Sequence, residues 1–421
     1  MRAYWRVLKE HPHYRRIYVS RTISLLGDWL NLLALLGLLR ELGHNRPELI
    51  GALFIVKLLP AFLAGPAAGV VADRVSRKWI MIVSDLVRVA VVSAFFLVPY
   101  FRDQAVVFVL GLALVQAVAS AFFEPARTAC LPQILPPEDL TTANSLGALT
   151  WSVIYALGAA LGGLITQFLG WRVALALDVS TYLFSAVFLV GLRLPVRPKR
   201  IEAVHWTRIL GIRDVFEGLG YVRSRPLIGY SLCLKAGWCM AGGVQLLLTL
   251  FGERVFNFGG HPDLGTAFLF TARAAGTAFG PIIARRYSGE DLDRMYRAVW
   301  YSFFCGGFFY IMLAWVQHPA AAFATVFLAH LGGSTVWVFS TVLLQRQVQD
   351  RFAGRVFAAE LGLATLMICL STFISGALIE RLNVGLPLLA VLLGSVILVA
   401  GVVAVWRGRK YRVEMRLPQS P

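Results

Sequence analysis

Residues 48–78 read ELIGALFIVKLLPAFLAGPAAGVVADRVSRK. From Leu49 to Ala72 the only charge is Lys57, and Arg74, Arg77 and Lys78 then follow close together. A bilayer core takes about 20 apolar residues of helix. Lipid offers no water to an open backbone, so an apolar run of this length is read as a helix crossing the membrane, and the basic cluster as its connector.

The same alternation repeats along the chain. Apolar runs predict spans near 17–39, 48–72, 79–100, 104–124, 139–168, 171–192, 227–252, 263–284, 294–316, 319–344, 356–379 and 384–406. The 421 residues are 58% apolar and 15% charged, with a mean hydropathy of +0.68. A soluble chain of this length needs more polar surface than these residues can make. The expected fold class is therefore an all-α membrane protein of twelve transmembrane helices. The first run contains Arg21 and Asp28, lacks a small-residue cleavage site and is too long for a signal peptide. It is read as a retained first helix.

The net charge of +17 would suit a nucleic-acid binder if it formed one basic face. Instead it flanks the apolar runs. With the N-terminus in the cytoplasm, 29 of the 40 Lys and Arg residues fall on cytoplasmic segments and 6 on outer loops. This positive-inside bias predicts that both termini are cytoplasmic, in a cell (inner) membrane protein that contacts the lipid bilayer and no nucleic acid.

The longest polar segment, 193–226, is bracketed by Pro195, Pro198 and Pro226. Trp206, Ile209, Leu210, Val215, Phe216 and Leu219 alternate there with charge at near-helical spacing, which predicts an amphipathic helix on the cytoplasmic face. The segment divides the chain into a six-helix bundle at 1–192, a linker at 193–226, a second bundle at 227–406 and a basic tail at 407–421. Two repeated six-helix halves are the arrangement of secondary transporters.

Charges inside spans are costly, about 2.5–3.5 kcal/mol at mid-bilayer on insertion scales, so each needs a cavity or a partner. Arg21 and Asp28 are seven apart on one helix face. Asp85 with Arg88, and Glu124 with Arg127, are three apart and are read as local structural pairs. Asp28, Lys57, Asp178, Lys235, Arg273 and Glu360 have no opposite charge at i±3 or i±4. Burial favours the neutral form of an acid, which makes Asp28, Asp178 and Glu360 candidate proton carriers. Arg21, Lys57, Lys235 and Arg273 are candidate cavity residues that could meet an anionic group on a substrate. Interbundle ion pairing without substrate contact is the competing reading. Trp29, Trp151, Trp238, Trp300, Trp315 and Trp337 could line an amphipathic cavity or simply face lipid.

The loop GVVADRVSRK, with Gly69, Asp73, Arg74, Arg77 and Lys78, resembles the cytoplasmic signature loop of the major facilitator superfamily. RTISLLGDWLNLLALL, SDLVRVAVVSAFF, FFEPARTACLPQILPPEDLTTANSLGAL and LLQRQVQDRFAGRVFAAE are similar to its drug- and siderophore-efflux branch, the macrolide and enterobactin exporters. The resemblance implies two pseudo-symmetric six-helix bundles that rock about a central site, with the signature loop as a cytoplasmic gate. The competing reading of that loop is a basic connector that only fixes topology. The chain departs from the family pattern in three ways: Ser76 replaces the second signature glycine, the fourth span offers only Gln116 where that span of many proton-driven relatives has a membrane arginine, and Ala159 replaces the proline of the antiporter glycine motif Gly158-x-x-x-Gly162-Gly163. Close helix packing is the alternative role for those glycines.

The expected function is proton-coupled export of a small amphipathic compound by alternating access, with a lipid or lysophospholipid flippase as the alternative. A monomer is expected, with no cofactor and the proton gradient as energy source. The chain lacks a GxxxxGK[ST] phosphate loop and an HExxH site, and its seven histidines are scattered, so an ATPase or a membrane enzyme is not expected. The five cysteines show no ligand-like spacing.

Overall fold

The computed structural model describes residues 2–43, 46–194, 220–289 and 291–411. Most of the 193–226 linker, including its expected amphipathic helix, and most of the 407–421 tail lie outside the described residues.

The described chain is helical throughout: α1 (Arg2–Glu10), α2 (Pro12–Glu41), α3 (Pro47–Arg74), α4 (Arg77–Ala94), two 3-10 turns, α5 (Ala105–Ile134), α6 (Pro137–Val190), α7 (Pro226–Cys239), α8 (Val244–Arg254), α9 (Pro262–Ser288), α10 (Leu292–Leu313), α11 (Pro319–Gln347), α12 (Asp350–Leu382) and α13 (Leu386–Lys410). Helices α2, α3, α6, α7, α9 and α11 all begin on proline. Proline fits the first helical position because its missing N–H is unpaired there anyway. Asp291 caps α10 by accepting from the Arg294 backbone N–H at 2.9 Å. Asn383 closes α12 in the left-handed region, at φ 51°.

Ten helices among the described residues are long and apolar enough to cross a membrane. One of them, α6, is interrupted at Gly170 (φ 84°, ψ 159°) and so supplies two spans. With its second arm and the 22-residue α10, which carries Asp293, Arg294 and Arg297 in its first two turns, the crossings number twelve. The seventh span differs from the unbroken run read in the sequence. Turns at residues 240–243 separate α7 from α8, where a side chain on Gly242 would come 2.5 Å from the Ile368 backbone. Large apolar side chains remain exposed on both units, such as Leu97, Val107, Val187 and Val190 in the first and Ile282, Ile283, Val399 and Val402 in the second. Extended apolar surface of this kind is a lipid-facing feature.

The chain divides into two compact units, with described residues from Met1–Asn45 and Val56–Leu210 in the first and from Arg46–Ile55 and Gly211–Pro421 in the second. The first turns of α3 thus group with α12. Arg46 pairs with Glu380 at 2.7 Å and Arg381 with Glu48 at 2.9 Å, while Gly51 abuts Thr372. In the first unit α2 lies along α6, and α4 packs on α5 and α6. Val7 of α1 is buried with Tyr14, Leu131, Leu135 and Ala143. In the second unit glycines bring helices close: a side chain on Gly307 of α10 would come 2.8 Å from the Gly394 carbonyl of α13. Helices in lipid gain little from apolar burial against each other, so close backbone approach and dispersion carry the packing.

Candidate functional site

The polar interior of the first unit starts from α2. Arg21, Asp28 and Asn31 fall on one face because the helix repeats every 3.6 residues. The long Arg21 side chain spans two turns, and its Nη1 lies 3.3 Å from Asp28 Oδ2. Its Nε reaches Glu124 of α5, whose other oxygen takes Arg127 Nε at 2.8 Å. On α4 the buried Arg88 and Asp85 pair with each other. The Arg88 guanidinium lies 4.3 Å from the Tyr182 ring centroid and 4.9 Å from that of Phe123, with Nη1 4.0 Å from Asp28 Oδ1. Tyr182 donates its hydroxyl to Asp28 Oδ1 at 2.5 Å, and Ser185 donates to Asp85 Oδ2 at 2.5 Å.

A second set of bonds joins the remaining charges. Lys57 Nζ donates to Asn31 Oδ1 at 2.6 Å and to Gln116 Oε1 at 3.4 Å. Asn31 Nδ2 donates to Asp178 Oδ2 at 2.9 Å, and Gln116 Nε2 donates to the Tyr182 hydroxyl at 3.2 Å. Asp178 is fully buried, and its Oδ1 has no hydrogen-bond partner. The cluster therefore holds four acids (Asp28, Asp85, Glu124, Asp178) and four bases (Arg21, Lys57, Arg88, Arg127). With every acid ionised and every base protonated the set is balanced, and a net gain of one proton breaks that balance. In a low-dielectric interior one added proton is an unscreened charge that something else must answer.

A cavity of about 370 Å³ opens beside this cluster, lined by Tyr14, Tyr18, Arg21, Glu124, Arg127 and Trp151 among others. Trp151 leans on Tyr155 at 5.4 Å, and Tyr155 stacks on Trp29 at 4.2 Å. Gly158 and Gly162 sit against Trp29 and Leu33 of α2, and a side chain on Gly158 would come 2.7 Å from Trp29 Cβ. That geometry favours the close-packing reading of the glycine motif.

The other expected site residues lie apart from this cluster. In the second unit, Lys235 Nζ pairs with Glu360 Oε1 at 2.8 Å and donates to Thr341 Oγ1 at 2.6 Å. The Trp337 ring centroid lies 4.6 Å from the same ammonium. Arg273, on α9, is half-buried, and its carbonyl accepts from Thr277 Oγ1 at 2.9 Å. Of the signature loop, the Asp73 and Arg74 side chains, and the surroundings of Gly69, lie outside the description. Arg77 is buried and donates to the Ala72 carbonyl at 3.1 Å and to the Ala129 carbonyl. Lys78 donates to Val190 O, at the last residue of α6, at 2.5 Å. Both bases thus bond backbone carbonyls near helix C-terminal ends, where positive charge is favoured. Among the described residues no three His, Cys, Asp or Glu side chains gather into a metal-holding group.

Sequence reasoning found the acids and bases but missed the neutral residues that join them, Asn31 and Tyr182. The available signal was polarity inside an apolar span, as in Asn31 within GDWLNLLALL.

Twelve crossings in two units, one of them holding a part-buried network of acids and bases, define a polytopic membrane transporter. A family model described as Major Facilitator Superfamily matches residues 17–360, and the chain belongs to that family. It is 26% identical to the uncharacterized MFS-type transporter YfiS of Bacillus subtilis, covering 94% of each chain. It is 23% identical to Macrolide efflux protein A of Streptococcus pyogenes, over 87% of this chain and 89% of that one. Among solved structures it is similar in fold to the POT family transporter PepTSo (TM-score 0.73, 12% identity, covering 96% of this chain and 99% of that one). It is also similar to the nucleoside transporter NupG (TM-score 0.66, 14% identity, 97% and 100%).

Proposed function

We propose that this transporter exports a small amphipathic compound in exchange for protons by alternating access, as a monomer in the cell (inner) membrane with both termini cytoplasmic. The reading rests on one observation, the balanced acid–base cluster around Asp28 and Asp178. A proton taken up by Asp28 or Asp178 leaves the cluster with one excess positive charge, so release of a bound cationic group, or a conformational change that removes that excess, is favoured. This is differential affinity, the only means by which a ligand shifts a two-state equilibrium. Glu360, ion-paired with Lys235, is the corresponding acid of the second unit. Arg21 borders the cavity, and Arg21, Lys57, Lys235 and Arg273 are the candidate contacts for an anionic substrate group. Gly69, Asp73, Arg74, Arg77 and Lys78 are assigned to a cytoplasmic gate. The name of the streptococcal relative supports export of a bulky amphipathic compound. The excess of Lys and Arg on one set of connectors supports the orientation.

The test begins with a thermal-shift screen of amphipathic compounds, macrolides included, on detergent-solubilised protein. A stabilising compound is then added to everted vesicles containing a pH dye. Expected are proton release on addition and accumulation that collapses with the pH gradient. Asp28→Asn and Asp178→Asn should lose gradient-driven accumulation and keep binding. Accumulation indifferent to the gradient, or intact in both variants, overturns the proposal.

A further inference from the structure

Lys57 of α3 and Asp178 of α6 are a base and a buried acid with no ion pair between them. Asn31 stands in the gap, fully buried, with one hydrogen bond to each: 2.6 Å from Lys57 Nζ to its Oδ1 and 2.9 Å from its Nδ2 to Asp178 Oδ2. An ammonium has three donors and no acceptor, so it fixes which end of the amide faces it. The Asn31 NH₂ group must then point at Asp178, and Asp178 Oδ2 must act as an acceptor. A proton on Asp178 is thereby confined to Oδ1, the oxygen with no partner. Oδ1 lies against Gly27 and beside Thr181: a side chain on Gly27 would collide with Asp178 Oδ1 and with Thr181 Oγ1. Thr181 Oγ1 donates to the Asp178 carbonyl at 2.7 Å.

We infer that Asn31 is the positioning residue of Asp178: it confines the acid's proton to Oδ1 and holds the Lys57 ammonium one amide away from the carboxylate. A direct pair with Lys57 would lock Asp178 in its ionised form. An apolar residue in place of Asn31 would leave the ionised form without its one side-chain donor. The amide keeps both protonation states accessible. The other charged or titratable groups bearing on Asp178 are Asp28 of α2, Arg88 of α4 and Tyr182 of its own helix. Gln116, the neutral residue on α5, completes the setting by accepting from Lys57 and donating to Tyr182. The inference rests on the reading of Asp178 as a proton carrier and deepens it.

The test is infrared difference spectroscopy on purified protein across a pH titration, which needs no substrate. The protonated-carboxyl band lost in Asp178→Asn is assigned to Asp178. In Asn31→Leu the midpoint of that band should move by about one to two pH units, the ten- to hundredfold effect of a hydrogen bond to a charged group. Asn31→Ala, which removes the amide and keeps the Lys57 charge, should move the midpoint in the same direction and serves if Asn31→Leu does not fold. An unmoved midpoint in the folded variants overturns the role of Asn31. No band lost in Asp178→Asn overturns it together with the proton-carrier reading. Loss of gradient-driven export in Asp178→Asn with an unmoved midpoint in Asn31→Leu sinks the Asn31 inference alone.

Discussion

Replacing Arg88 by methionine should cost the first unit far more than replacing Arg88 and Asp85 together. Both side chains are buried, at 2% and 0% exposure, and they pair with each other. Removing one partner of a buried pair leaves an uncompensated charge, at about 3–5 kcal/mol. Arg88 also lies over two aromatic rings, adding roughly 1–2 kcal/mol. Asp28, 4.0 Å from Arg88, keeps Arg21, so most of the penalty falls on Asp85. For a helical unit of this size, 1 kcal/mol corresponds to about 2–4 °C in Tm. Arg88→Met should thus lower Tm by roughly 10–25 °C. Adding Asp85→Asn, which leaves no orphaned carboxylate, should restore at least half of that. Buried Cys130 lies in the same unit and serves as reporter. With the other four cysteines replaced by alanine, its labelling by a thiol dye during a thermal ramp follows this unit alone. A single variant within about 2 °C of the parent, or a double variant no better than the single, would refute the pair as the source of stability.

Three further outcomes are expected. Gly158→Leu forces a side chain onto Trp29, at about 1–3 kcal/mol for overpacking, and should lower the folded yield on size-exclusion chromatography. Trp29→Ala in that background should recover part of it. In the second unit, Lys235→Met should destabilise by about 3–5 kcal/mol and the pair Lys235→Met with Glu360→Gln by much less, read by labelling of buried Cys239. The pair Arg46–Glu380 is solvent-exposed at the arginine, so Arg46→Glu should cost no more than about 1 kcal/mol, and adding Glu380→Arg should restore the parental Tm.

The helices were legible because lipid imposes a length and a polarity that few other constraints produce. Span starts at Pro47, Pro137, Pro226, Pro262 and Pro319 lie within two residues of the apolar boundaries read from the sequence. The break between α7 and α8 was not legible. Residues 240–243 remain apolar or small through the turn, so hydropathy does not mark it; what sets it is the approach of Ile368 and Ser371 from α12. Residues 46–55 were assigned to the first bundle by chain order, and their grouping with α12 depends on partners more than 300 positions away.

The candidate site divides along the same line. Pairs at i, i+3 were visible, and both Asp85–Arg88 and Glu124–Arg127 form. Their locality suggested isolated structural pairs, yet each is tied to Asp28, one through Arg21 and the other through Arg88 itself. Spacing rules describe contacts along one helix, whereas this network closes across α2, α3, α4, α5 and α6. Its connecting atoms belong to neutral side chains whose sequence signal is weak: one asparagine, one glutamine and one tyrosine. Gln116 shows why a missing charge is a poor guide to a missing function. By accepting from Lys57 while donating to Tyr182 it links the base of α3 to the hydroxyl bound to Asp28. An arginine there would add a fifth base to four acids. With Lys57 of α3 and Arg88 of α4 already among the four bases, charge balance in a low-dielectric interior constrains the whole set of residues more tightly than any one position.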